Sequence, residues 1–172
     1  MMKWLRIIVI ASLFTACADS HQIIRDDTSS VRLTLDDTIF ISVPSDGVYG
    51  ANIYRGSGQN TAQIINSAFA KHTHSIKVAS STQSFDEARE AANKNGQKYL
   101  IYSTILHWED RATEWSGIPD KVEVKVEVVE VETGNTVSSA IVKGESGLAT
   151  FGGDHPQDLL PGSIDEFVSS LY

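Results

Sequence analysis

The chain reads as a mixed α/β (α+β) domain, with elements in the order β-α-β-α-β-β-β-α and two or three layers built on a mixed sheet. Three observations lead there. Across residues 38–108, short apolar runs alternate with segments of helical period, the pattern of crossover connections. Residues 121–132 then alternate valine with charge and end in a Gly-Asn turn, the pattern of a hairpin. Last, Ile164, Phe167, Val168 and Leu171 recur at helical spacing and close the chain.

Residues 38–43 (Thr-Ile-Phe-Ile-Ser-Val) form an apolar run stopped by Pro44, a buried strand. Residues 44–58 carry Gly47, Gly50, Gly56 and Gly58 and read as a loop. A helix is expected over 59–72, because Ile64, Ile65, Ala68 and Phe69 share one face. Residues 75–79 read as a second strand. Ser84 and Glu87 form a capping box for a second helix that stops at Gly96. Residues 98–108 are apolar on both parities, as in a strand covered on both faces in mid-sheet.

In the next segment Val122, Val124, Val126 and Val128 face the core, while Lys121, Glu123, Lys125 and Glu127 form a solvated face. Val129 and Val131 continue on the other parity, which predicts either a bulge near Val128-Val129 or burial on both sides. Thr133-Gly134-Asn135 is a turn, and residues 136–143 return as the hairpin partner. Residues 144–162 form a loop rich in Gly and Pro. Ser163 and Glu166 then have the spacing of a second capping box.

The amino terminus has its own pattern. Lys3 and Arg6 precede an apolar run over 7–14, followed by Thr15, Ala16 and the sole cysteine, Cys17. Charged start, short apolar middle and small residues make a secretory signal. The run is shorter than the ~20 residues that span a bilayer. A cysteine after small residues resembles the lipobox of bacterial lipoproteins, although Phe14 stands where that pattern has Leu. The resemblance implies residues 1–16 as a signal peptide, removed before Cys17, and acylation of Cys17. It also implies outer-membrane sorting, because Ala18 rather than aspartate follows the cysteine. An ordinary signal peptide with a free cysteine is the plainer alternative. Residues 17–37, rich in Asp, Ser and Thr, read as a lipidated tether with a weak edge strand. As a coil it would reach roughly 25 Å. Residues 38–172 form the single domain.

Of 172 residues, about 155 remain after cleavage, enough for one domain with a core. The formal charge is -8; losing Lys3 and Arg6 leaves 12 basic residues against 22 acidic ones, or -10. No basic patch stands out, so nucleic acid is not an expected partner. One cysteine makes no internal disulfide.

Cys17, residues 99–117 (Tyr-Leu-Ile-Tyr-Ser-Thr-Ile-Leu-His-Trp-Glu-Asp-Arg-Ala-Thr-Glu-Trp-Ser-Gly) and residues 149–161 (Ala-Thr-Phe-Gly-Gly-Asp-His-Pro-Gln-Asp-Leu-Leu-Pro) resemble a family of proteobacterial lipoproteins, domain of unknown function 4823. That resemblance implies no activity. The order of elements is also similar to envelope α/β domains: the amino-terminal domain of the Tol-system propeller protein, the curli secretion lipoprotein and the lipoprotein activators of cell-wall synthases. Those domains bind partners, which is an argument from fold alone.

Two loops carry the candidate site. His107, Trp108, Glu109, Asp110 and Arg111, with Trp115, follow the central strand, where α/β folds place their sites. His107 with Glu109 or Asp110 would make a base and its orienter. Trp108 and Trp115 would make a stacking platform, and Arg111 would grip a carboxylate. The simpler reading takes precedence: Trp108 caps the core, Arg111 pairs with Glu109 or Glu114, and His107 is a polar edge. In the second loop, Asp154 and His155, with Asp158, would recruit a cation, or else Gly152-Gly153-Asp154 is only a turn. His72 and His74 make a poor metal pair. Residues 54–60 precede a helix amino terminus but lack the lysine of a phosphate-binding loop.

No nucleophile elbow, Cys-x-x-Cys or His-Glu-x-x-His occurs. The sequence therefore predicts an outer-membrane lipoprotein on the periplasmic face, bound through the lipid on Cys17. Its domain would be non-catalytic and bind an envelope protein or glycan, with no cofactor and no metal. The alternative is an envelope hydrolase using His107/Asp110 or His155/Asp154.

Overall fold

The computed structural model describes residues 19–26, 32–111, 119–147 and 155–172. Its strands are β1 (Ser20–Asp26), β2 (Ile39–Val43), β3 (Gly47–Tyr49), β4 (Asn52–Tyr54), β5 (Ile76–Thr82), β6 (Tyr99–Glu109), β7 (Lys121–Glu130) and β8 (Thr136–Glu145). Its helices are α1 (Ser57–Phe69), α2 (Phe85–Lys94) and α3 (Pro161–Ser169), with a 3-10 turn at Pro156–Leu159. Six strands form one mixed sheet in the order β1-β8-β7-β6-β2-β5; β3 and β4 pair separately. From residue 38 onward the expected order of main elements holds.

The sheet is parallel at β5-β2-β6 and antiparallel from β6 to β1. The β2-α1-β5 and β5-α2-β6 crossovers run in opposite directions, so a common right hand puts α1 and α2 on opposite faces. Under α1 and α3 lie Ile39, Ile41, Ile101, Val124, Val126 and Val128, all fully buried. On the other face Phe85 of α2 meets Tyr102 edge-on, with ring centroids 5.3 Å apart. That second face is covered only at the β6-β2-β5 end. Over β7 and β8 it carries the Lys125–Glu127 pair (2.8 Å) and the Lys143–Glu123 pair (3.1 Å), as the alternation predicts.

Several expectations need correction. The loop over 44–58 contains the β3–β4 hairpin. Helix α1 begins two residues earlier than expected and ends at Phe69 rather than His72. Its start is set from outside: Asp46 Oδ1 accepts from Gly56 N (3.1 Å) and Gly58 N (2.9 Å), so a carboxylate already occupies that amino terminus. The register shift opposite Val128-Val129 is real, but the extra residue is Val137 on β8, since Val128 pairs with Ser138 and Val129 with Thr136. Val129 and Val131 change parity because both faces of β7 are buried there, at 0% and 5% exposure.

The Ser84/Glu87 capping box is present, with Ser84 N donating to Glu87 Oε2 (2.8 Å). The one at Ser163 is not. Helix α3 starts at Pro161, whose fixed φ suits a first helical position, and Ser163 is buried inside it. Residues 17–37 are not a free coil over their described part. β1 pairs along its whole length with β8, Leu33 N donates to Leu171 O (2.8 Å), and buried Asp37 bonds Lys98 Nζ (2.8 Å).

Candidate functional site

β2 pairs with β6 only over Tyr99–Ile101, so β6 carries its last residues past the parallel part of the sheet. A register shift between Ile105 and His107 leaves Leu106 unpaired. Trp108 then pairs with Val122 on the core face, while His107 and Glu109 point to the open face with Glu123 and Lys121. Trp108 is 2% exposed and is the largest fully buried side chain. It packs against Gly47, where an added Cβ would sit 2.4 Å from Trp108 Cβ. Trp108 is thus a core residue, and the stacking platform is corrected on this side: no ligand reaches its ring. Trp115 lies outside the described residues.

Glu109 is the hub of the open side. It is 4% exposed, yet it sits among polar groups rather than deep in the apolar core. His107 Nε2 lies 3.2 Å from Glu109 Oε2, and the Arg111 guanidinium pairs with Glu109 Oε1. The Tyr49 side chain also favours the ionised form of Glu109. Burial by itself would raise the Glu109 pKa. The His107 bond, the Tyr49 side chain and the Arg111 charge outweigh it and hold the carboxyl below its usual value. Tyr49 packs edge-on against His107 (5.2 Å), and Arg111 lies over the Tyr49 ring (5.8 Å). His107 is therefore oriented by Glu109, not by Asp110.

Asp110 turns to the second loop. Its Oδ2 lies 3.4 Å from His155 Nδ1, which brings the described ends of the two candidate loops together at one end of the sheet. Asp154 and Cys17 lie outside the described residues. The carboxylate that faces His155 in the described part is thus Asp110. Asp158 Oδ2 accepts from His155 N (3.1 Å), a turn-type bond. Asp120 completes the cluster. It accepts from Arg111 N (2.5 Å), while its own N donates to Ser146 Oγ (2.9 Å) and its carbonyl accepts from Ser146 N (3.0 Å). Burial, with the nearby Asp110 charge, raises the Asp120 pKa against the Arg111 and His155 contributions.

Among the described residues, no three His, Cys, Asp or Glu side chains converge as a metal shell. His72 stacks on Tyr172 instead (4.6 Å, 8° between planes). His107 borders a groove of about 600 Å³ on the open sheet face, shared with Gln22, Lys121, Glu123, Lys143 and Glu145. A larger depression, about 790 Å³, lies elsewhere, between α2 and the β7–β8 turn. No described helix is long and apolar enough to cross a membrane.

Tyr49, Tyr54, Asp46 and Asp120 were not among the expected site residues. Tyr54 Oη donates to the Asp110 carbonyl (3.4 Å). Their signal was faint: Gly47-Val48-Tyr49 and Asn52-Ile53-Tyr54 flank Gly50-Ala51, a short hairpin pattern hidden among glycines.

Several solved structures share this fold, and one of them is described as a lipoprotein. The PelC dodecamer from Paraburkholderia phytofirmans matches with TM-score 0.68 and 18% identity, over 88% of this chain and 97% of that one. Lipoprotein GNA1162 from Neisseria meningitidis gives TM-score 0.50 and 12% identity over 78% and 94%. Protein XCC0632 from Xanthomonas campestris, of the DUF330 family, gives 0.51 and 9% over 84% and 92%. At these identities the likeness is one of fold. No curated protein matches the sequence. The family model "Domain of unknown function (DUF4823)" matches residues 31–171. The match spans the β-α-β-α-β-β-β-α core with both candidate loops, and the chain belongs to the DUF4823 family.

Proposed function

We propose that the protein is a lipoprotein acylated on Cys17 and held on the periplasmic face of the outer membrane, whose α/β domain binds an envelope protein or glycan without catalysis. The observation that carries the non-catalytic part is that the charged groups of the site pair with one another. His107 and the Arg111 guanidinium both pair with Glu109, Tyr49 packs against both, and His155 pairs with Asp110. A general base needs a substrate proton or nucleophile within hydrogen-bond reach. Among the described residues, neither imidazole has a hydroxyl or thiol partner. The His107 side chain is 35% exposed and His155 58%, so both offer polar contacts to a partner. The leader and the two-residue approach from Cys17 to Asp19 support the anchor.

The test is a photoreactive residue at position 107 in living cells, compared with one at Asn135 at the far end of the sheet. The proposal expects a discrete cross-linked species at 107 alone. Cell-wall or lipid turnover that stops in a folded His107→Ala variant would favour the hydrolase instead. The dodecameric state of the PelC structure favours a second reading, in which the protein partner is another copy of this chain. Light scattering of the purified chain decides it.

A further inference from the structure

We infer that the end of the sheet where β1 begins lies against the phospholipid bilayer, with Val48 and Ile53 of the β3–β4 hairpin entering the headgroup layer. This rests on the acylation of Cys17 proposed above.

The argument starts from reach. One residue, Ala18, separates Cys17 from Asp19, and Asp19 Oδ1 accepts from Gly147 N (3.0 Å). Two Cα steps span at most ~7 Å, about the depth of one headgroup layer. β1 is then held by β8 along all seven residues and by the Arg25–Glu166 pair (3.1 Å). An acyl chain on Cys17 therefore grips the body of the domain directly, not through a coil.

Register identifies the surface so gripped. Ser20 pairs with Glu145, Glu145 with Lys121 and Lys121 with Glu109, so one row crosses from the start of β1 to the end of β6. Three strand spacings make that row ~14 Å long, twice the free reach. At its far side stands the hairpin. Gly47, Tyr49 and Tyr54 turn inward, onto Trp108, His107 and the Asp110 carbonyl. Val48 and Ile53 pair directly on the outward face, 57% and 61% exposed. Two opposed aliphatic side chains left in water beside an anchored edge gain by entering an interface. The ion pairs of this end, Lys121–Glu145 (3.3 Å) and Arg111–Glu109, close internally, which limits repulsion from headgroups despite the acidic chain.

Once Cys17 is acylated, a cysteine placed at Val48, Ile53 or Asn135 is the sole free thiol. The native lipidated chain carrying one such cysteine is labelled with an environment-sensitive fluorophore. It is then reconstituted in vesicles of phosphatidylethanolamine and phosphatidylglycerol containing a headgroup-region spin-labelled lipid quencher. Labels at 48 and 53 should lose most of their emission to the quencher, and the label at 135 little. Equal quenching at all three sites overturns the orientation. A blue shift at 48 and 53 without lipid quenching overturns it too, in favour of a second copy or another protein on the hairpin. Protein that floats with vesicles but shows either of these results leaves the anchor standing and sinks this inference alone. An unmodified Cys17 sinks both.

Discussion

Replacing Glu109 by Gln tests whether the charge network holds the end of β6 in place. The carboxylate takes two partners, His107 at 3.2 Å and the Arg111 guanidinium, with Tyr49 favouring its ionised form. Glutamine keeps the shape and removes the charge. Orphaning one member of a buried pair costs ~3–5 kcal/mol in full. Here the His107 and Arg111 side chains are each 35% exposed and turn to water, so the cost falls to ~2 kcal/mol. For a domain of this size that is a fall of about 4–8 °C in Tm.

The effect has a pH signature. The folded pKa of Glu109 lies below its unfolded value, so its stabilisation is present above the unfolded value, about 4.3, and is lost as pH falls through the folded one. The gap between wild type and Glu109→Gln should be full at pH 7 and shrink below about pH 4. Asp120, with its raised pKa, contributes the opposite slope but to both proteins, so it cancels in the difference. Urea denaturation across that range reads the gap. A variant within ~0.5 kcal/mol of wild type at pH 7, or a gap independent of pH, would refute the reasoning.

Three further outcomes follow from the packing. Trp108→Ala should cost ~3–5 kcal/mol in urea denaturation, because it empties a large buried site and removes the ring that Gly47 of the hairpin packs against. Ser84→Ala should cost about 1 kcal/mol through loss of the α2 cap, read as a loss of stability without a change in m-value. Arg25→Ala should cost under ~1 kcal/mol, since its partner Glu166 is 69% exposed, and added salt should abolish even that difference.

The crossover half of the fold was legible because its signals are local and redundant. The capping box at Ser84 and the two-sided apolar run before Trp108 each specify one element. The Ser163 box misled because Pro161 had already started the helix and buried the serine. The hairpin was missed because three-residue strands carry too little period to read. At the site, the sequence offered His107 a choice of Glu109 or Asp110. Strand alternation decides it: His107 and Glu109 share a face, while Asp110 lies beyond the strand and meets His155. That last contact joins residues 45 positions apart, and nothing local announces it.

The anchor is the premise on which location and orientation both stand. Mass spectrometry of the amino-terminal peptide from the native, membrane-extracted protein measures it directly. The account predicts a peptide beginning at Cys17, with a diacylglycerol thioether on its sulfur and an acyl amide on its new amino group. A peptide bearing a free Cys17 thiol, or continuing upstream through Ala16, would contradict it.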